Sequence, residues 1–124
     1  MKRFGLIAVV ATVIILAGGV YLFSRTSKPE TVPPVSGYEY YWGETCPHCA
    51  NVEEFLQSWE DKDKVQIDKR EVYLNKANAS LLAERAKSCG ISPSSLGVPF
   101  LVTPEGACIT GDTPIIGHFQ NLTL

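Results

Sequence analysis

Tyr38-Glu39-Tyr40-Tyr41-Trp42-Gly43-Glu44-Thr45-Cys46-Pro47-His48-Cys49 is the stretch on which the rest of the chain turns. Tyr and Trp favour an extended, pleated backbone, so Tyr38 to Trp42 reads as a strand with the charge of Glu39 directed away from the core. Gly43-Glu44-Thr45 is a turn. Cys46 then opens an amphipathic segment in which Val52, Phe55, Leu56 and Trp59 recur at helical spacing opposite Glu53, Glu54, Gln57, Ser58 and Glu60. Two cysteines three apart at a strand-to-helix junction are a redox arrangement.

The chemistry follows from the helix start. With Cys46 as the first helical residue, its sulfur lies near N–H groups that lack intrahelical partners, at the positive end of the macrodipole, and the thiolate is favoured. Pro47 fits the first turn, where an N–H is not needed. A protonated His48 adds positive charge beside the thiolate. Cys49, one turn further along the same face, is placed to resolve a mixed disulfide. Cys46 is therefore the attacking cysteine and Cys49 the resolving one, with Pro47 and His48 tuning the pKa. A low-pKa Cys46 is also a good leaving group, which makes the disulfide more oxidising. Two other readings stand beside this one: a metal or iron–sulfur module using Cys46 and Cys49 with Cys89, Cys108 or His48, and a redox-inactive adaptor that only binds peptides. No second C-x-x-C supports the metal reading.

The chain has 124 residues and a net charge of −2, with its basic residues scattered, which excludes a nucleic-acid surface. Phe4 to Phe23 carries no charge and follows Lys2-Arg3. That length spans a bilayer core. Residues 1–24 are thus a membrane anchor or signal, and the anchor is favoured because the apolar run continues past Ala17-Gly18-Gly19 through Val20 to Phe23. Residues 25–36, with Pro29, Pro33 and Pro34, form a Pro-rich linker, and residues 37–124 form the folded domain. A short N-terminal tail kept inside places that domain on the extracytoplasmic side, periplasmic or extracellular.

Further along, Val65 to Leu74 reads as a strand whose apolar residues change phase, which calls for a bulge or bend near Asp68 to Arg70. Asn75 to Asn78 is a turn in which Asn78 caps a second helix. This helix runs to about Ser88 with Leu82, Arg85, Ala86 and Cys89 on one face and Gly90 as its stop. Ile91 to Gly97 is a loop; Phe100 to Thr103 and Ala107 to Thr110 are strands around the turn Pro104-Glu105-Gly106. Thr113 to Leu122 is a short helix started by Asp112 and Pro114. The order βαβα-ββα predicts an α/β sandwich preceded by one N-terminal transmembrane helix.

With Cys46-Pro47-His48-Cys49 after the first strand and Val98-Pro99 before the third, residues 37–124 resemble a thioredoxin-superfamily domain. The strand-first order is similar to the glutaredoxins, and the tetrad to the oxidising Dsb-type periplasmic proteins. The resemblance implies a thioredoxin-like, glutaredoxin-sized βαβαββα fold and a protein thiol–disulfide oxidoreductase needing no cofactor and no metal. It also implies a cis-proline at Pro99, baring the Val98 backbone to pair with a substrate peptide. On the residues alone, Val98-Pro99 is a proline at a strand start. Thr45 stands where thioredoxin has Trp, and no counterpart of its buried acid is evident. Gly111-Asp112 resembles the end of a glutaredoxin glutathione site, so a glutathione-dependent glutaredoxin is an alternative. The partners implied are protein thiols and disulfides, a membrane redox partner, glutathione, and the membrane itself through residues 4–23. The direction of electron flow is open. Cys89 and Cys108 read equally as a structural disulfide and as two buried thiols.

Overall fold

The computed structural model describes residues 2–24 and 32–124, except for the side chains of residues 2, 4, 6 and 22–24. The chain divides into two compact units, residues 1–31 and 32–124. The first contains α1 (Lys2–Ser24), a helix of 23 residues. Its Thr12 hydroxyl donates to the Ala8 and Val9 carbonyls at 3.0 and 2.9 Å, so this polar group is satisfied within the helix. Among the described residues, no helix is long and apolar enough to cross a membrane. The segment expected to span is thus seen as a helix and not shown as a span.

The second unit is a four-stranded mixed sheet with helices on both faces. Its elements are β1 (Tyr38–Trp42), α2 (Pro47–Ser58), β2 (Ile67–Glu71), α3 (Lys76–Ser88), β3 (Phe100–Val102), β4 (Cys108–Thr110) and α4 (Asp112–Gln120). The strand order is β2-β1-β3-β4, with β1 parallel to β2 and antiparallel to β3, and β3 antiparallel to β4. Alternation along the strands sorts the core. Tyr38, Tyr40 and Leu101 pack with Val52 and Leu56 of α2 and Ile115 and Phe119 of α4. Tyr41, Phe100 and Val102 pack with Leu82 and Ala86 of α3 on the other face.

Glu39 does not point away from the core. It shares the α3 face with Tyr41 and is only 6% exposed, because Arg85, itself 7% exposed, meets it there. Arg85 donates to the Glu39 carboxylate from Nε at 2.8 Å and from its terminal nitrogen at 2.9 Å, and the Tyr41 hydroxyl donates at 2.8 Å. Arg85 also donates to the Pro33 carbonyl at 2.6 Å, and Val35 packs on the same core. Residues 32–36 therefore belong to the packed unit rather than to a free linker; residues 25–31 lie outside the described residues.

Two further expectations are corrected. β2 is shorter than predicted and needs no bulge: its register with β1 runs unbroken from Tyr38 opposite Ile67 to Trp42 opposite Glu71. As an edge strand it need not alternate strictly, and Asp68 and Lys69 are both exposed. The cap of α3 is Asn75, whose side chain accepts from the Asn78 N–H at 3.1 Å; Asn78 instead donates to the Glu71 carbonyl at 2.9 Å. Cys89, at the end of α3, and Cys108, in β4, form a disulfide.

Two outcomes are expected in urea unfolding. Glu39→Gln, which leaves Arg85 buried and unpaired, loses about 3 kcal/mol or more, whereas Glu39→Leu with Arg85→Met loses less than either single change. Burial raises the Glu39 pKa, but the hydrogen bonds from Arg85 and Tyr41 and the charges of Arg85 and Arg70 outweigh it and hold the carboxyl below its ordinary value of 4.5. Its contribution is therefore complete above that value and is lost as pH falls through the lower folded pKa; Glu39→Gln flattens this acid limb. Replacing both Cys89 and Cys108 by Ser lowers stability by about 2–4 kcal/mol without removing disulfide exchange at Cys46.

Candidate redox site at the start of the second helix

Cys46 and Cys49 are joined in a disulfide. Cys46 is the N-cap of α2 rather than its first residue, with extended backbone angles, and Pro47 occupies the first turn. The Cys49 N–H donates to Cys46 Sγ at 3.2 Å, so one of the orphan donors of the helix start falls on this sulfur. The turn before it is closed by the Cys46 N–H donating to the Gly43 carbonyl at 3.1 Å.

The two sulfurs are unequal. Cys46 is 8% exposed and Cys49 is 1% exposed, beneath the first turn. The Tyr40 hydroxyl donates to the Cys49 carbonyl at 3.3 Å from the sheet below. Cys46 is thus the more accessible of the two. On the outer side, Cys46 Sγ lies 3.6 Å from the Val98 carbonyl oxygen, and the Val98–Pro99 peptide is cis. The Gly111 N–H donates to the Pro99 carbonyl at 3.0 Å, which ties this loop to the start of α4. The structure thus brings Cys46, Cys49 and Val98 to one place, with Pro99 beside them; Cys89 and Cys108 are engaged with each other.

His48 stands on the outer surface, its side chain 71% exposed. Its Nδ1 is 3.0 Å from Asp112 Oδ2, and Asn51 Nδ2 donates to the same oxygen at 2.7 Å. In the sequence Asp112 reads as a helix starter and nothing singles out Asn51. Their meeting with His48 joins α2 to α4 across most of the domain's length, and no local pattern marks it.

Glu71 was also missed. Its carboxylate accepts from the N–H groups of Tyr73, Leu74 and Asn75 at 2.7, 2.8 and 3.1 Å, and from that of Glu44. Desolvation raises its pKa, and these four N–H groups bring it below the ordinary value. One side chain thereby fastens the loop after β2 to the loop that delivers Cys46. The Tyr73 ring lies over Gly43 in that loop, so a Cβ there would force the ring to shift.

Among the described residues, no group of three or more His, Cys, Asp or Glu side chains could hold a metal ion. No family model, curated protein or solved structure matches the chain.

After reduction, iodoacetamide is expected to label Cys46 at least about tenfold faster than Cys49, since both exposure and thiolate character favour it. Peptide mass mapping over time reads this directly, and equal rates would contradict the asymmetry.

Proposed function

We propose that this chain is a thiol–disulfide oxidoreductase of thioredoxin-like, glutaredoxin-sized fold that exchanges disulfides with protein substrates outside the cytoplasm. The observation that carries the reading is the Cys46–Cys49 disulfide at the start of α2, with the more exposed sulfur accepting the Cys49 N–H. An N–H aimed at Cys46 Sγ stabilises the negative charge that this sulfur carries as nucleophile or leaving group.

Read as an oxidant, the cycle balances without a cofactor. A substrate thiolate attacks Cys46 Sγ; the Cys46–Cys49 bond breaks, a substrate–Cys46 bond forms, and Cys49 leaves as a thiolate that takes up a proton. A second substrate thiolate then attacks the substrate sulfur of this mixed disulfide and expels Cys46 as a thiolate. The substrate has lost two electrons and the protein has gained them. Run backwards, the same steps reduce a substrate disulfide. Val98, whose carbonyl lies beside Cys46, offers backbone with which an extended substrate segment pairs.

Membrane attachment through α1 is part of the proposal. What supports it is the sequence: residues 4–23 are uncharged, almost wholly apolar, and follow Lys2-Arg3. The N-terminal mass of protein extracted from membranes separates an uncleaved anchor from a cleaved signal. Metal binding is disfavoured because Cys89 and Cys108 are paired with each other. Glutathione use is disfavoured because the Asp112 carboxylate, the group a glutaredoxin-like site would offer, is occupied by His48 and Asn51.

In full-length protein in detergent, Cys46→Ala is expected to lower exchange with a disulfide-bonded protein substrate by at least about a hundredfold, and Cys49→Ala to accumulate substrate joined to Cys46. Retention of full activity by Cys46→Ala would sink the proposal. The equilibrium against glutathione mixtures reads the direction: a potential at or above roughly −180 mV marks an oxidant or isomerase, and one at or below about −270 mV a reductant.

A further inference from the structure

The expectation for His48 was a positive charge beside the Cys46 thiolate. The structure gives that side chain a counter-ion. Asp112 Oδ2 receives Asn51 Nδ2 at 2.7 Å and faces His48 Nδ1 at 3.0 Å, while Oδ1 receives the Thr113 N–H at 2.9 Å. The hydrogen bonds of Asn51, His48 and the Thr113 N–H hold the Asp112 carboxyl well below the usual carboxylate range, so it is an anion wherever thiols react. An anion accepts and cannot donate; the proton of the His48–Asp112 contact therefore sits on Nδ1. The pair carries a net charge of −1 when His48 is neutral and zero when it is protonated. In neither state is the start of α2 given net positive charge.

The other charged and titratable groups around the pair do not replace this function. Glu53 on α2 pairs through Oε2 with Lys69 of β2 at 2.7 Å, its Oε1 being buried without a hydrogen-bond partner. Tyr40 of β1 is neutral, since burial above all, with the charges of Glu53 and Asp112, pushes its pKa up. Cys46 and Cys49 are the redox pair itself.

We propose that Asp112 is a positioning residue that sets the redox poise of Cys46–Cys49: it holds His48 by Nδ1 and cancels its charge, which weakens thiolate stabilisation and moves the couple toward the disulfide. This rests on the reading of the pair as an exchanging couple. The reaction balances as disulfide plus two glutathione thiols giving dithiol plus glutathione disulfide. When Cys46 is a thiolate, one proton is released to solvent. Stabilising that thiolate favours the reduced side.

The test uses full-length protein in detergent, equilibrated with mixtures of reduced and oxidised glutathione between pH 5 and 8. The reduced fraction is read by Trp fluorescence and by alkylation mass, and the Cys46 thiolate by its ultraviolet absorbance against pH. Asp112→Asn keeps the shape and removes the charge. It is expected to shift the equilibrium about threefold to tenfold toward the dithiol, tenfold being about 30 mV, and to lower the Cys46 pKa. Asp112→Glu restores wild-type behaviour, and adding His48→Gln to Asp112→Asn cancels most of the shift. Asp112→Ser, neutral and compatible with a helix start, supplies the same readout if the Asn variant does not fold. An Asp112→Asn protein with lowered melting temperature but unchanged equilibrium and thiolate titration overturns the inference alone. A wild-type pair that exchanges with neither glutathione nor a dithiol overturns the underlying reading as well.

Discussion

A carboxylate in the central strand of a sheet has to be answered, and the answer given to Glu39 shapes this domain. Taking an ion out of water is costly unless it is paired and hydrogen-bonded. Arg85 and Tyr41 meet that requirement, and in doing so they specify which face of α3 turns inward. Arg85 also takes the Pro33 carbonyl, so the same side chain seats the chain as it enters the domain. The opposite face of β1 is left to Tyr38 and Tyr40, over which the apolar faces of α2 and α4 pack. Because α2 is fixed there, its N-terminal turn, and with it the disulfide, arrives at a defined place at the end of β1.

The redox pair gains its asymmetry from this placement. Cys49 is pressed under the first turn of α2, where Tyr40 holds its carbonyl, and Cys46 caps the helix from outside. Cys46 thereby keeps a small exposed edge, 8% against 1% for Cys49, although only three positions separate them. The Glu71 carboxylate gives the approach to Cys46 its rigidity, since it gathers N–H groups from the loops on either side. Carboxylates thus serve three ends here: Glu39 orders the core, Glu71 braces the loops and Asp112 holds the tetrad's histidine.

What was legible in the sequence was whatever depends on near neighbours. The strand of Tyr38 to Trp42, the turn at Gly43, the helix carrying Val52 and Leu56, and the hairpin around Gly106 are all stated by local pattern. What was illegible depends on partners far along the chain. Nothing near Glu39 announces Arg85, 46 residues away, and nothing near His48 announces Asp112, 64 residues away. The misread extent of β2 has another cause: an edge strand with its charges in solvent has no strict alternation to read. That Asn75 and not Asn78 caps α3 depends on Glu71, which draws the backbone of 73–75 into a turn ahead of an earlier helix start.

The bridge between Cys89 and Cys108 also has a consequence for chain integrity. It closes a ring containing the surface loop of residues 91–97, the Val98–Pro99 peptide and the hairpin turn. A protease that cuts once anywhere in that ring yields two fragments that remain one covalent molecule. They separate on a denaturing gel only after a reductant has opened the bridge, so a nicked chain migrates as intact in its absence.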